Sequence, residues 1–539
     1  MMVLQRMPRL IGCLLLLWPA WTGATASWPD LLRQALADAA PRRRSLQETA
    51  DWEIPACGEV LATLTTHEVR VLLEDLITDN LNLSQTELLV FRVGLVPELD
   101  FGVKVVKICG KCSDFAETAN LYEGVCQAED YASDVIHSGL LMLPLERDSS
   151  SQIASGTRPV TILCHGTEAS NLSVPSNLWN STDPDGLVLF GTLFTSLSGT
   201  VTILPDYTGY GESRDSVFRA YVVRQAYATA TLPLLWESER MVLEESNCQS
   251  AVGDAFMVVG YSEGGYAAVA LADVLHHQLN KTIIQVRAGG APLKLSTVQL
   301  QFLVQQVLQD TFDSRRRYYI ALLGAAYSTT TTDVANYNES QDLMARDLRT
   351  EVLNAMQAGS ERSSINEVVP IDNPLSILDA NIIATFQRAL ANGEEDPCVT
   401  SVVEGETDLL CRALQAQDLI QVVEETPYPI ALCHSPGDTL VSFGNLPDVS
   451  VNKLLNIEQV SGGHESAALD CFLQSILFYR EDGKVQDFPL EDKTLTGGCL
   501  SNQATTKDED VAATVSGASL GRPTLGLGVL LLSLFASFI

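Results

Sequence analysis

The residues Phe256-Met257-Val258-Val259-Gly260-Tyr261-Ser262-Glu263-Gly264-Gly265 run from an unbroken apolar stretch into a serine flanked by glycines, and a helical pattern continues from Tyr266 to Leu275. Strand, Gly-x-Ser-x-Gly, helix is the sequence form of a nucleophile elbow, where a strained turn pushes a serine hydroxyl out at the head of a strand. Gly260 and Gly264 are required because a Cβ at either position would collide with the backbones packed around the turn. The N-terminus of the following helix lies beneath the serine and favours negative charge developing beside it. The five-residue pattern alone has little specificity. Gly517-Ala518-Ser519-Leu520-Gly521 fits it too, without a strand before it. Context selects Ser262.

Outward from the elbow, apolar strands alternate with helical patterns. Strands are predicted at 102–108, 138–144, 159–164, 201–205, 256–259, 282–287, 428–433 and 454–460, with a helix around 222–237. Buried strands joined by crossover helices predict an α/β fold, a mostly parallel sheet covered on both faces. Residues 296–426 interrupt the rhythm with helical segments at 298–308, 317–327, 343–358 and 382–391. An insertion on the edge where the serine opens is the place for a mobile lid or a fixed cap. The stretch 51–100 has helical periodicity and is expected to pack on the core.

A serine hydroxyl needs a base to take its proton and an acid to orient that base. On this kind of sheet the chain order is Ser, Asp or Glu, His. Of the seven histidines, His67, His137 and His165 precede Ser262, while His276 and His277 ride the helix leaving the elbow. His434 ends a strand with no acid before it in the expected loop. His464 follows the last strand, opens a helix, and is the expected base. Asp438, in the loop after strand 428–433, is the expected orienter, with Asp470 as runner-up. The tetrahedral oxyanion needs two backbone donors. The Glu263 amide is one, and the loop His165-Gly166-Thr167 supplies the other, with the Thr167 amide favoured and Gly166 permitting close approach. Asp206, Gly209 and Gly211 are expected to shape a turn beside the pocket. This chemistry requires no metal and no cofactor.

With these motifs in place, residues from about 100 to 480 resemble the α/β-hydrolase superfamily. The run Pro205-Asp206-Tyr207-Thr208-Gly209-Tyr210-Gly211-Glu212-Ser213, the elbow, and the late Asp438 and His464 are similar to the secreted lipase and esterase branch, fungal secretory lipases included. The resemblance implies hydrolysis of small-molecule or lipid acyl esters through an acyl-enzyme beneath a helical lid. Serine aminopeptidases and acyltransferases on the same scaffold share every one of these residues, and a non-catalytic adhesion module would need a broken triad.

Composition bounds the rest. Apolar residues make up 46% and charged residues 19%, so the chain folds around a large core. A net charge of −33 repels phosphate backbones and excludes nucleic acid as a partner. Arg6 and Arg9, the apolar stretch 10–18 and the small residues Ala24-Thr25-Ala26 read as a secretory leader. At the other end, Ser516, Gly517 and Ala518 are candidate attachment residues before an almost wholly apolar tail, the pattern of a glycolipid (GPI) anchor signal or a membrane helix. Membrane contact is expected only through that tail. Sequons at Asn82, Asn171, Asn180, Asn280 and Asn338 agree with secretion. Most of the twelve cysteines should pair in that compartment, and Cys109-Gly110-Lys111-Cys112 is expected to hold structural disulfides rather than a redox pair. Cys164 and Cys433, inside apolar strands, are the expected free thiols. The chain thus divides into a leader (1–26), an extension packing on the core (27–100), core (101–295), helical insertion (296–426), core again (427–485), a polar linker (486–516) and the tail (517–539). Sequence leaves the oligomeric state open.

Overall fold

The computed structural model describes residues 54–72, 99–112, 135–170, 172–177, 186–329, 343–357, 362–393, 398, 406–448 and 452–480. The leader, linker and tail lie outside them, as do Asn82, Asn171, Asn180 and Asn338.

Among the described residues a nine-stranded sheet runs in the order β1-β2-β3-β5-β4-β6-β7-β8-β9. The strands are β1 (Val60–Leu64), β2 (Gly102–Lys111), β3 (Ile136–Leu145), β4 (Gly156–Cys164), β5 (Val201–Pro205), β6 (Ser250–Tyr261), β7 (Thr282–Gly289), β8 (Ile430–His434) and β9 (Leu455–Gln459). The first three strands and β5 pair antiparallel, and from β5 onward every pairing is parallel. β1 corrects the sequence reading, which gave its residues to a helical extension. Val60-Leu61-Ala62-Thr63-Leu64 is rich in β-branched and leucine side chains, and the helical period begins only after it. There Thr65 and Glu68 form a reciprocal cap: the Glu68 amide donates to Thr65 Oγ1 at 3.2 Å and the Thr65 amide to Glu68 Oε2 at 2.7 Å.

Helices cover both faces: α1 (Gly186–Ser198), α2 (Arg224–Glu245) and α3 (Glu263–His277), with α4 (Leu300–Leu308), α5 (Arg317–Thr329), α6 (Arg346–Gln357), α7 (Arg362–Val368), α8 (Ala380–Ala391), α9 (Glu406–Gln417) and α10 (Ile420–Glu424) in the insertion and α11 (His464–Arg480) closing the described chain. Strand alternation splits the core into two layers. Leu140, Met142, Leu163 and Val259 face the side that carries Phe194 and Ile476, whereas Leu141, Leu143, Ile162 and Val258 face the side of α2 and α3. The insertion extends this second layer. Its helices fall close to the predicted ones, and Cys398 is bonded to Cys411 within it. Among the described residues no helix is long and apolar enough to cross a membrane.

The cysteines follow the sequence reading with one correction. Cys109 pairs with Cys57, and Cys112 is disulfide-bonded elsewhere, so the CxxC is not a redox pair. Cys164 is free and buried. Cys433 is not: it is bonded to Cys471, on the helix opened by His464. An apolar strand context says nothing about what a remote helix carries.

Candidate active site

β6 lies near the middle of the sheet, between β4 and β7, and its C-terminal end delivers Ser262 to the rim. Ser262 adopts φ 60° and ψ −124°, a conformation sparsely populated by residues with a side chain. The glycines around it are dictated by space. A Cβ on Gly260 would lie 2.1 Å from the Gly264 carbonyl oxygen, and one on Gly264 would lie 2.3 Å from that of Cys164. Gly265 has the same constraint, at 2.5 Å from Gly289 O, and the sequence reading missed it. Gly166 differs from expectation. A Cβ there would meet only Tyr261 O, at an ordinary 3.7 Å, so close approach does not require glycine at 166.

His464 Nε2 lies 2.8 Å from Ser262 Oγ, and His464 Nδ1 lies 2.6 Å from Asp438 Oδ2. Burial pushes the Asp438 carboxyl up, but hydrogen bonds from His434 and His464, with the Val441 amide, outweigh it and hold the group well below the usual carboxylate range. An ionised carboxylate only accepts, so His464 carries its proton on Nδ1 and offers the Nε2 lone pair to the serine hydroxyl. The other carboxylate oxygen is held by the amides of Leu440 (2.8 Å) and Val441 (2.9 Å). Asp470 takes no part in this relay.

His434 was set aside in the sequence because no acid precedes it, yet it is completely buried against the acid that follows. Its Nε2 lies 3.1 Å from Val441 O and 3.3 Å from Asp438 Oδ2. Only its position at a strand end, four residues before Asp438, marked it. His165 has both ring nitrogens against backbone carbonyls and stacks on Tyr207 at 3.9 Å, which is a structural role. Asp206 is buried beneath the same loop and accepts from Ser138 Oγ (2.6 Å) and from Ser176 Oγ (2.5 Å) and N (3.0 Å), with Gly209 and Gly211 at φ 80° and 54°. It anchors the turn the sequence assigned to it.

Glu263, whose amide is an expected oxyanion donor, has a buried carboxyl of its own. Burial pushes it up to about 8, against the opposing hydrogen bond of Tyr227. Tyr227 donates to Oε1 at 2.9 Å, and Oε2 is buried without a hydrogen-bond partner. The carboxyl is therefore a neutral acid at pH 7. Thr167, the second expected donor, sits on the loop after β4, and its hydroxyl donates to Tyr221 at 3.4 Å.

Ser262 and Glu263 open onto a pocket walled by Leu295, Leu300, Leu303, Leu323 and Leu440 with Tyr221 and Tyr319. Helical insertion and acid loop together build its walls.

The fold has counterparts in solved structures. A candidate hydrolase from Legionella pneumophila superposes with a TM-score of 0.56 at 16% identity, over 81% of this chain and 99% of its own. The rice cell wall degrading esterase LipA of Xanthomonas oryzae, in a ligand-bound form, gives 0.55 at 16% identity, over 79% and 97%. The chain has the α/β-hydrolase fold. Compared with family models and with curated proteins, the sequence matches none. At such identities the likeness is one of fold, and within the α/β-hydrolase fold chemistry resides in the site residues.

Proposed function

We propose that this chain is a serine hydrolase that cleaves carboxylic esters with an apolar acyl or alcohol part. The observation that carries the reading is the relay itself: Ser262 Oγ to His464 Nε2 at 2.8 Å and His464 Nδ1 to Asp438 at 2.6 Å, at the mouth of an aliphatic pocket. In this mechanism His464 takes the Ser262 proton as Oγ attacks the ester carbonyl, and Asp438 stabilises the imidazolium. The Glu263 and Thr167 amides hold the oxyanion, His464 returns the proton to the leaving alcohol, and water then hydrolyses the acyl-enzyme by the same route. The neighbours, one of them an esterase, support this reading. Ester cleavage is favoured over aminopeptidase action because the aliphatic lining of the pocket suits an apolar acyl or alcohol part better than a charged α-ammonium group.

A fluorophosphonate probe tests the assignment. Labelling is expected in the wild type and absent in Ser262→Ala; persistent labelling of the variant overturns it. Faster turnover of nitrophenyl acyl esters than of aminoacyl amides is expected, and the reverse order would establish a peptidase.

The same proposal places the protein at the cell surface, secreted and tethered by its C-terminal segment. The disulfides Cys57–Cys109, Cys398–Cys411 and Cys433–Cys471 and an exposed Asn280 support passage through an oxidising, glycosylating compartment. Release from membranes by a phosphatidylinositol-specific phospholipase is expected; release by detergent alone points to a membrane helix instead.

A further inference from the structure

The acid loop, residues 435–446, leaves β8 with no regular structure except a short turn at Phe443–Asn445. A loop of this kind does not by itself hold a carboxylate to the tolerance that proton transfer needs. The orientation of Asp438 depends on the Leu440 and Val441 amides that grip Oδ1, and so on whatever fixes the backbone between 439 and 442. The carbonyls of these two residues are both tied down. Val441 O faces His434 Nε2, from the end of β8. Leu440 O accepts a hydrogen bond from Gln299 Nε2 at 2.8 Å, and Gln299 belongs to the helical insertion.

Gln299 is the last residue of the π-helical turn Leu295–Gln299, a wide turn of the kind that recurs at functional sites. Its amide is buried and used at both ends. Oε1 accepts from the Ser442 amide (3.2 Å) and from Asn445 Nδ2 (2.9 Å), while Nε2 donates to Leu440. A buried amide that is satisfied at both ends specifies one geometry, because any shift leaves a polar group unpaired. Lys294, at the start of the same turn, adds its amide to Asn445 Oδ1 at 2.9 Å. Arg316 reaches Thr439 Oγ1 (3.1 Å) and Glu465 (3.0 Å) farther out, where water screens the pairing.

We infer that Gln299 is a positioning residue for the catalytic acid: through Leu440 it sets the backbone whose amides aim Asp438 at His464. The insertion is then part of the catalytic framework as well as a cover, and its first turn stays docked while the relay is competent. This rests on the serine hydrolase reading, since it gives Asp438 a role to be positioned for.

The test is turnover of p-nitrophenyl acetate by the full chain, with active sites counted by fluorophosphonate titration. The variants are Gln299→Met, Gln299→Glu and Arg316→Ala. Gln299→Met keeps the shape and loses all three bonds; Gln299→Glu keeps the acceptor oxygen and loses the donor to Leu440. For both, kcat per titrated site is expected to fall about ten- to a hundredfold with KM within about threefold, while Arg316→Ala keeps wild-type kcat. Wild-type kcat in Gln299→Met overturns the inference, as does an equal loss in Arg316→Ala, which would assign the effect to the insertion at large. If Gln299→Met does not fold, Gln299→Glu alone decides on the same criteria. A wild type that the phosphonate does not label refutes the hydrolase reading itself, an outcome distinct from the others.

Discussion

Tyr261 donates its hydroxyl to the backbone carbonyl of His464 at 2.7 Å, and the two rings lie 5.0 Å apart. The residue before Ser262 therefore holds His464, although 203 positions separate the two in the chain. Elbow strand and the helix opened by His464 are locked together beside the Ser262–His464 hydrogen bond.

Replacing Tyr261 by Phe removes that bond. A stability loss of about 1–2 kcal/mol is expected. A drop in kcat without a matching rise in KM is expected too, because the loss is in alignment of His464 rather than in binding. Urea unfolding and steady-state kinetics on one nitrophenyl ester check both.

The Cys433–Cys471 bond ties the strand that leads to Asp438 to the helix that starts at His464, closing a separation of 38 residues. Chain-entropy arguments give such a bridge about 4 kcal/mol. The double variant Cys433→Ala/Cys471→Ala is expected to lose that order of stability in urea, and reduction of the wild type under partly unfolding conditions should reproduce the loss.

Glu263 predicts a stability that falls with rising pH. Its folded carboxyl sits at about 8 against an ordinary 4.5, so the folded state keeps a proton that the unfolded chain releases. The contribution is fully present below about pH 4.5 and is lost as the pH climbs to about 8, on the order of 4 kcal/mol between pH 5 and 8. Tyr227, Thr167, Glu168 and Arg219 face the group and modulate this loss. Glu263→Gln should flatten that slope in urea titrations at pH 5 and 8. Above pH 8 the wild type should also lose kcat, because a carboxylate beside the developing oxyanion repels it.

His137 acts in the opposite direction. Buried on β3 with neither ring nitrogen partnered, it is held down to about 4 by burial. The unfolded chain takes up a proton at its ordinary 6.5 while the folded chain stays neutral. Its contribution is therefore present above about pH 6.5 and lost as the pH falls toward 4, about 3 kcal/mol in all. His137→Leu should remove this share of the acid sensitivity, read as a smaller drop in stability from pH 7 to pH 4.5.

Much of the fold was legible because its signals are local. Strands such as Val201-Thr202-Ile203-Leu204-Pro205 are short, β-branched and apolar, and need little context. The elbow was legible because the backbone packed against the turn leaves no room for a Cβ at named positions and so forces glycine there. His464 and Asp438 followed from chain order and from the scarcity of histidine. β1 was lost since a five-residue edge strand next to a helix start gives a weak period.

What the residues determined by themselves is the kind of machine: a serine in an elbow, with a late acid and a later base on an α/β sheet. Those features depend on neighbours a few positions away. Tertiary structure alone decided that Cys433 pairs with Cys471, that His434 backs Asp438, that Gln299 braces the acid loop, and that Glu263 keeps its proton. Each depends on which remote atoms meet and how thoroughly water is excluded from them. No local pattern encodes either quantity.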